Sequence, residues 1–437
     1  NAVRLAHYQH NQYFYDLCDK YGIVVWAEIP YINKHVPSAK ESTRSQMKEL
    51  VIQNYNHPSI IVWGISNELS LEDDYVDMTE NHRYLNDLCH SLDNTRLTAI
   101  GSIASTPEND PFIRITDAVG YNLYYGWYGG NIEDNGIWLD KFHKNNPDKP
   151  IGVSEYGCES LNWHSSTPEA WDFTEEFHAH FHEELIKQLY TRDYLWIRIC
   201  WNMFDYAADG RNEGGMPGQN RKGLVTIDRQ YKKDAFFAYQ AWLSEKPMVH
   251  ICGKRYVDRV EDVTKVTVYS NLPEVELFAN GKSLGKQTSD VHFFYFDVPN
   301  VGKTELVAVA GEHKDSGVIN KVEKFNDAYR LVEKGAVLNW FDVTAPEGYF
   351  SLNDKLSDIM TNPAGKAFFM QMMGSMTGGM MGGDRTPAEM MAQADGMMAM
   401  LGSFTVLRMV GLMGAAGVKM TKEQLLAINA QLNQIKK

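Results

Sequence analysis

Two glutamates close apolar segments of strand length, and they are the residues of this chain best suited to do chemistry. Glu68 ends the run Trp63–Glu68, and Glu155 ends the run Ile151–Glu155. A carboxylate at the mouth of a buried strand is costly unless it is paired or used. Two of them on different strands of one sheet could cleave a glycosidic bond, because one can protonate the leaving oxygen while the other attacks or stabilises the sugar carbon; a separation of about 5 Å would predict retention of configuration. In the alternative, one of the two is a structural carboxylate bound to an arginine.

The elements that must hold these glutamates alternate regularly in residues 1–246. The alternation of strands and helices predicts a parallel sheet and a (β/α)8 catalytic barrel, with its site at the C-terminal ends of the strands. Only seven strands are found, so the first strand–helix unit is predicted to be missing before Asn1. The predicted strands are Ala2–His7, Ile23–Ile29, Ile60–Ser66, Arg96–Gly101, Ala118–Leu123, Ile151–Glu155 and Leu195–Met203. The predicted helices are Gln12–Lys20, Glu41–Tyr55, Tyr75–Leu92, Glu133–His143 and Phe173–Leu189.

Residues 247–325 have a different pattern. Val266–Tyr269 and Val275–Phe278 alternate with period two, and Asn280-Gly281 is a strong hairpin signal. These features predict a small all-β domain, an immunoglobulin-like β-sandwich.

Residues 326–437 are predicted to be a linker followed by a Met-rich helical C-terminal region. Fifteen of the twenty methionines fall within residues 360–420. Thr386–Glu389 predicts a helix start, and the apolar spacing of Thr421–Lys437 predicts a second helix. A small helical appendage with an adaptable core is the simplest interpretation. A Met-rich partner surface and metal capture by thioether sulfur are the alternatives.

Composition restricts the partners of the chain. The net charge of -14 argues against nucleic acid, which requires clustered Lys and Arg, and fits a neutral or weakly charged substrate. The five scattered cysteines indicate neither a disulfide framework nor a zinc site, which favours a reducing, cytoplasmic compartment. No apolar run reaches transmembrane length, so no membrane partner is expected. A signal peptide, secretion and homo-oligomerisation stay open, since the native N-terminus is predicted to be missing.

Seven short stretches together resemble the catalytic barrel of family 2 glycoside hydrolases, which include β-galactosidases and β-glucuronidases. They span nearly all of residues 1–245 in family order. One such motif is easily matched by chance, whereas seven in order are not. The resemblance implies a carbohydrate substrate. The stretches are Asn1–Tyr8, Val25–Glu28, Asn56–Ser59, Trp63–Glu68, Gly120–Tyr128, Ser154–Gly157 and Trp201–Tyr206.

The resemblance implies catalytic roles for both glutamates, with Glu68 as the acid/base and Glu155 as the nucleophile. The division agrees with the physical requirement that the acid keep its proton near neutral pH while the nucleophile stays ionised. Asn67 resembles the amide that hydrogen-bonds the sugar 2-hydroxyl, and Tyr124 resembles the tyrosine that touches the nucleophile.

Three further residues acquire a role only through the resemblance. Arg4 and His7 resemble groups that hold the nucleophile and line the sugar pocket, and Trp201 resembles the tryptophan that floors it. Without the resemblance, the preferred interpretations would be a core tyrosine for Tyr124, a core tryptophan for Trp201 and a histidine with its hydrogen bonds satisfied for His7.

The choice of sugar depends on Asn220 and Lys222. An Asn-x-Lys sequence here resembles the clamp by which β-glucuronidases hold the sugar carboxylate. However, Asp209–Gly214 and Lys222–Val225 resemble the corresponding stretches of β-galactosidases, which also carry Asn-x-Lys-Gly at this place. The β domain that follows also resembles the one found in such galactosidases. The sequence therefore favours a retaining exo-β-galactosidase that cleaves terminal β-galactosides by double displacement. A β-glucuronidase is the alternative, and a solvated loop lysine is the third interpretation of Lys222.

No metal ligand is predicted, and magnesium or sodium enters only because some family members bind one near the site. His178, His180 and His182 alternate on a predicted helix and are expected to form a surface set without a shared face. A hypothesis from another class is a catalytically inactive fragment. The missing strand would leave an open barrel with unpaired edges, and the family's upstream β domains would be absent.

Overall fold

The computed structural model describes residues 1–69, 71, 74–166, 173–208, 218–331, 343, 345–377, 405–407, 409 and 422–437. Among these residues, no helix combines the length and the apolar character that a membrane span requires. The chain forms two compact units. The first comprises Asn1–Tyr124, Glu133–Gly157 and Leu185–Asn202, and the second comprises Tyr125–Ile132, Cys158–Glu184 and Met203–Lys437.

The first unit is built on a sheet of seven parallel strands, in which each strand pairs with the next one along the chain. The predicted (β/α)8 class is confirmed, and the described residues supply seven of its strands. The strands are β1 (Ala2–Leu5), β2 (Val24–Glu28), β3 (Ile60–Asn67), β4 (Leu97–Ile103), β5 (Ala118–Asn122), β6 (Ile151–Glu155) and β7 (Leu195–Arg198). The associated helices are α1 (Gln12–Tyr21), α2 (Lys40–Asn54), α3 (Tyr75–Leu92), α4 (Asp134–Asn145) and α5 (Glu175–Leu189).

The strands of this sheet are nearly continuous apolar runs in the sequence because they are buried in the structure. Every residue of β5 and β6 is buried, as expected for parallel strands covered on both faces. Because the strands run in one direction, their C-terminal residues lie at the same edge of the sheet. Polar side chains at that edge therefore meet one another, although they are far apart in sequence.

Gly101 on β4 leaves the space in which two of these polar side chains meet. A Cβ atom at this position would lie 2.8 Å from Arg4 Nη2 and 2.8 Å from Asn67 Oδ1, closer than carbon atoms approach such groups. The guanidinium of Arg4 and the amide of Asn67 hydrogen-bond in that space at 2.8 Å. Any larger residue at position 101 would push them apart.

The second unit contains two β-sheets that share one apolar core. The three-stranded sheet has the order β10-β12-β15, and the five-stranded sheet has the order β11-β17-β16-β13-β14. Val268 and Phe294 from the first sheet join Leu277 and Leu306 from the second in one buried cluster. This confirms a β domain after the barrel, while its immunoglobulin-like character and the domain boundaries stay predictions. The elements are β8 (Tyr206–Ala207), β9 (Gln219–Asn220), α6 (Asp234–Leu243), β10 (Val249–Ile251), β11 (Asp258–Arg259), β12 (Val263–Ser270), β13 (Glu274–Ala279), β14 (Lys282–Thr288), β15 (Phe293–Pro299), β16 (Lys303–Ala310) and β17 (His313–Lys321).

The hairpin predicted at Asn280-Gly281 joins β13 to β14. Both residues have positive φ, 48° for Asn280 and 78° for Gly281. This is the left-handed pair that a type I′ turn requires, and Asn-Gly adopts it at low cost.

The C-terminal region is helical where the structure describes it. It contains α7 (Leu356–Thr361), α8 (Pro363–Thr377) and α9 (Lys422–Leu432). Leu425 and Leu432 of α9 are buried in a cluster with Leu356 and Ile359 of α7, so the helix predicted from the spacing of residues 421–437 is confirmed. The helix start predicted at Thr386–Glu389 lies outside the described residues.

The histidines of α5 differ from the sequence prediction. His180 is exposed, but His178 and His182 are completely buried, so the prediction of a surface set is wrong for these two. They are four residues apart and share one face of the helix, and their ring centroids are 4.6 Å apart. Neighbouring histidines of this set are two residues apart and point in different directions, whereas His178 and His182 are four residues apart and therefore one helical turn from each other.

Candidate active site

The two predicted catalytic glutamates lie at the C-terminal ends of β3 and β6. Asn67 is the last residue of β3 and Glu68 follows it, while Glu155 is the last residue of β6. Glu68 has a φ of 48°, in the left-handed region that non-glycine residues rarely adopt. Its backbone N–H donates to the Gly101 carbonyl at 2.8 Å. Strained backbone of this kind persists only where its surroundings hold it, and it is common at functional sites.

Glu155 receives hydrogen bonds on both carboxylate oxygens. Arg4 Nη1 donates to Oε1 at 2.8 Å, and the Tyr124 hydroxyl donates to Oε2 at 2.7 Å. His7 Nε2 lies 3.8 Å from Oε1. Donors on both oxygens, one of them a guanidinium, stabilise the charged carboxylate. They also fix its orientation, as a nucleophile requires.

Arg4 is the centre of a buried charge network that includes Glu28, a residue to which the sequence analysis gave no role. Its Nε and Nη2 atoms donate to the two Glu28 oxygens at 2.9 and 3.1 Å, and His7 Nδ1 lies 2.6 Å from Glu28 Oε1. Burial opposes the charge of Arg4, but the negative charges of Glu28 and Glu155 raise the pKa of the guanidinium above its usual value. Glu28 ends β2 after the apolar run Val25–Ala27, which is the same signal that identified Glu68 and Glu155.

Asn122 is a second residue that the sequence analysis did not single out. It ends β5, and its Nδ2 donates to Glu68 Oε1 at 2.9 Å and lies 3.1 Å from Asn67 Oδ1. The Ser154 hydroxyl donates to Asn122 Oδ1 at 2.7 Å, which fixes the orientation of the amide. Asn122 therefore positions Glu68 directly. A polar residue at the end of a fully buried strand was the available signal.

The environment of Glu68 favours its protonated form. Burial raises the pKa of the Glu68 carboxyl, and the negative charge of Glu155 raises it further. The hydrogen bond from Asn122 and the charges of His7 and Arg4 act in the opposite direction but do not cancel these effects. One carboxyl with a raised pKa, beside another that accepts hydrogen bonds on both of its oxygens, is the arrangement that an acid and a nucleophile need.

We expect the rate of glycoside cleavage to fall as the pH rises through the pKa of Glu68, because an acid must be protonated to donate. The alkaline limb of kcat/KM should therefore lie above the range of an ordinary glutamate. A pH profile on an aryl glycoside measures this limb. In the Glu68→Gln variant, which has no titrating acid, the limb should disappear on a substrate with an activated leaving group. A limb that persists at the same pH would assign it to another group.

Trp201 and His7 form a stacked pair in the first unit. Their ring centroids are 5.4 Å apart and their planes differ by 12°. The backbone N–H of Trp201 donates to the backbone carbonyl of Tyr156 at 2.8 Å, which connects Trp201 to the segment that follows Glu155. The structure thus brings Arg4, His7, Asn67, Tyr124 and Trp201 into a single group with the two glutamates.

Asn220 and Lys222 lie in the second unit and form a buried polar cluster of their own. Lys222 is 1% exposed, so its interpretation as a solvated loop lysine is wrong. Its Nζ donates to the Tyr128 hydroxyl at 2.7 Å and to Glu159 Oε1 at 3.1 Å. Arg221 Nη2 donates to Glu159 Oε2 at 3.3 Å. Asn220 Oδ1 accepts from the Lys222 backbone N–H, while residues 209–217 lie outside the described part of the chain.

Two cations therefore share one carboxylate in this cluster. Glu159 and Tyr128 were not singled out from the sequence, although Glu159 lies four residues after Glu155 in an otherwise apolar segment.

Within the described residues, three groups of His, Cys, Asp and Glu have ligand atoms close enough to hold a metal ion, and none of them includes Glu68 or Glu155.

Comparison with known proteins supplies the family. Residues 1–245 match the family described as glycosyl hydrolases family 2, TIM barrel domain. The chain belongs to glycosyl hydrolase family 2. Residues 261–314 match a second family, described as a domain of unknown function.

Proteins similar to this chain include β-glucuronidases and a candidate β-galactosidase. A β-glucuronidase of Bacteroides fragilis is 39% identical over 308 residues, which cover 67% of this chain and 44% of that protein. The crystal structure of an FMN-binding β-glucuronidase from Faecalibacterium prausnitzii is 49% identical, with a TM-score of 0.73 over 76% of this chain and 52% of that one. A candidate β-galactosidase from Bacteroides fragilis is 33% identical, with a TM-score of 0.70 over 74% of this chain and 50% of that one. The chain thus spans about half the length of these relatives.

Proposed function

We propose that the protein containing this chain is a retaining exo-β-glucuronidase. The observation that carries the proposal is the buried lysine Lys222 of the Asn220-Arg221-Lys222 sequence, which resembles the clamp by which β-glucuronidases hold the sugar carboxylate. A lysine ammonium is a cation of the kind that pairs with such a carboxylate. The β-glucuronidases among the relatives support the same choice, which was the alternative from the sequence.

A β-galactosidase is the second candidate. The candidate β-galactosidase among the solved structures and the resemblance of Lys222–Val225 to such enzymes favour it. A galactoside, however, presents a neutral hydroxyl where a glucuronide carries its carboxylate.

In the proposed first step, a Glu155 oxygen attacks the anomeric carbon, and the bond from that carbon to the glycosidic oxygen breaks. Glu68 gives its proton to the leaving oxygen, so the aglycone departs as a neutral alcohol. Tyr124 and Arg4 hold the attacking carboxylate in place. Proximity and orientation of this kind convert a slow encounter into a reaction within one complex.

In the second step, Glu68 acts as a base. Its carboxylate takes a proton from water, the water oxygen attacks the anomeric carbon, and the bond to Glu155 breaks. Two inversions give retention of configuration. Asn122 can keep its hydrogen bond to Glu68 in both steps, because its N–H can donate to the carbonyl oxygen of the neutral carboxyl and, more strongly, to the ionised carboxylate.

Lys222→Ala tests the proposed substrate in the full-length protein. If Lys222 pairs with the sugar carboxylate, kcat/KM on an aryl β-glucuronide should fall by about 2–5 kcal/mol, roughly 30-fold to several thousand-fold. The loss on an aryl β-galactoside should stay near one neutral hydrogen bond, about 1 kcal/mol. The measurement is the ratio of the two losses, because general damage to the fold lowers both rates alike.

Lys232→Ala is the matched control, since Lys232 is an exposed lysine in the same segment of the chain. It should leave both rates unchanged. Wild-type activity on the galactoside that exceeds activity on the glucuronide would overturn the proposal, whatever the variant does.

A further inference from the structure

Three side chains of the types that bind metals converge in the second unit, and none of them has a role in the proposed reaction. They are Cys158, His178 and His182, and all three are buried. The Cys158 sulfur and one ring nitrogen of each histidine lie within 4.8 Å of one another. We propose that Cys158, His178 and His182 bind a single zinc ion.

The local geometry fits such a site. His178 and His182 are separated by one turn of α5, so their imidazoles project from one face toward the same point. Cys158 comes from the segment that follows β6, so the site would join two parts of the second unit. A tetrahedral zinc ion with bonds of about 2.0–2.3 Å spaces its ligand atoms by roughly 3.5 Å. Closing the three atoms from 4.8 Å to that spacing needs only small side-chain rotations.

The donor types favour zinc over the hard cations. One thiolate and two imidazoles are soft or borderline ligands, whereas calcium and magnesium select oxygen. Three protein ligands leave a fourth coordination position. The His182 ring is held by its other nitrogen, because His182 Nδ1 lies 2.8 Å from the Tyr239 hydroxyl. A hydrogen bond on one ring nitrogen orients the other toward a metal.

A zinc ion here would order the chain segment that contributes to the buried polar cluster. Cys158 directly precedes Glu159, which pairs with Lys222 and Arg221. The backbone of Lys222 also lies beside the His178 ring. A ligand bond to Cys158 would therefore restrain Glu159 and the lysine that it holds. Because the site is fully enclosed, the ion must enter while the chain folds.

The test is the metal content of the full-length protein produced in medium supplemented with zinc, freed of loose metal by chelator and gel filtration. We expect about one zinc ion per chain in the wild type, as for a closed structural site. Cys158→Ser and His182→Asn should each lose most of it. His180→Asn is the matched control, because His180 is exposed on the same helix between the two ligands, and it should keep the ion.

A second measurement guards against variants that fail to fold. Cobalt(II) in place of zinc should give the near-ultraviolet absorption of a thiolate–cobalt bond in the wild type and in His180→Asn. The band should vanish in Cys158→Ser while that variant keeps a folded circular dichroism spectrum. Wild-type protein that holds no zinc after expression in zinc, or a Cys158→Ser variant that retains both metal and band, would overturn the proposal.

Discussion

The Glu155→Ala variant of the full-length protein is expected to lose at least about 10⁴-fold in turnover, because no covalent glycosyl intermediate can form without the attacking carboxylate. The effect should be the largest of any single substitution, since Arg4 and Tyr124 would then orient nothing. The rate of release from an aryl glycoside measures it. Added azide or formate should restore part of the activity by entering the space that the carboxylate leaves, and it should give the product of inverted configuration.

The control for this experiment is Glu49→Ala, which removes an exposed glutamate from α2 and should leave the rate unchanged. Residual activity of Glu155→Ala above about 1% without an added anion is incompatible with a nucleophilic role, given the losses that follow removal of a covalent catalyst. Product of retained configuration in the presence of azide would also exclude the role, since the anion could then not be replacing Glu155.

The Glu68→Gln variant is expected to discriminate between leaving groups. An alkyl glycoside leaves as a poor alkoxide unless it is protonated, so it should lose about 10²–10⁴-fold, the usual contribution of a general acid. A dinitrophenyl glycoside needs little protonation and should lose far less in its first step. The measurement is the slope of log kcat/KM against leaving-group pKa, which should steepen in the variant. Glutamine keeps the size of the side chain and its contact with Asn122.

Asn122→Ala provides a contrasting variant for that prediction. It removes the hydrogen bond to Glu68 but leaves the carboxyl, so its pH profile should shift while its alkaline limb remains. A Glu68→Gln variant that loses equal activity on alkyl and dinitrophenyl substrates would contradict the acid/base assignment. Equal losses are what a purely structural disturbance produces.

The sequence by itself determined the fold class, and it singled out Glu68 and Glu155 as the candidate reacting pair. Buried parallel strands require long apolar runs, and a carboxylate at the end of such a run is conspicuous because it is costly there. This is why six of the seven strands and the helices α1 to α5 could be predicted with boundaries close to those observed, whereas the predicted strand Leu195–Met203 was too long, since β7 ends at Arg198. It is also why Glu68 and Glu155 were found without knowledge of their partners. The sequence left the sugar open between a galactoside and a glucuronide, and the proposal of a glucuronide takes its support from the relatives.

Tertiary structure alone decided which other charges matter. Glu28 ends a strand as Glu155 does, yet only the parallel sheet shows that it forms an ion pair with Arg4. Lys222 looks like a loop lysine in sequence, and only packing shows that it is buried against Glu159. His178 and His182 lie on one helical face by spacing alone, but spacing cannot say whether that face is turned to water or to Cys158. The physical reason is the same in each case: the state of a polar side chain depends on neighbours distant in sequence, whereas an apolar run carries its own preference for the interior.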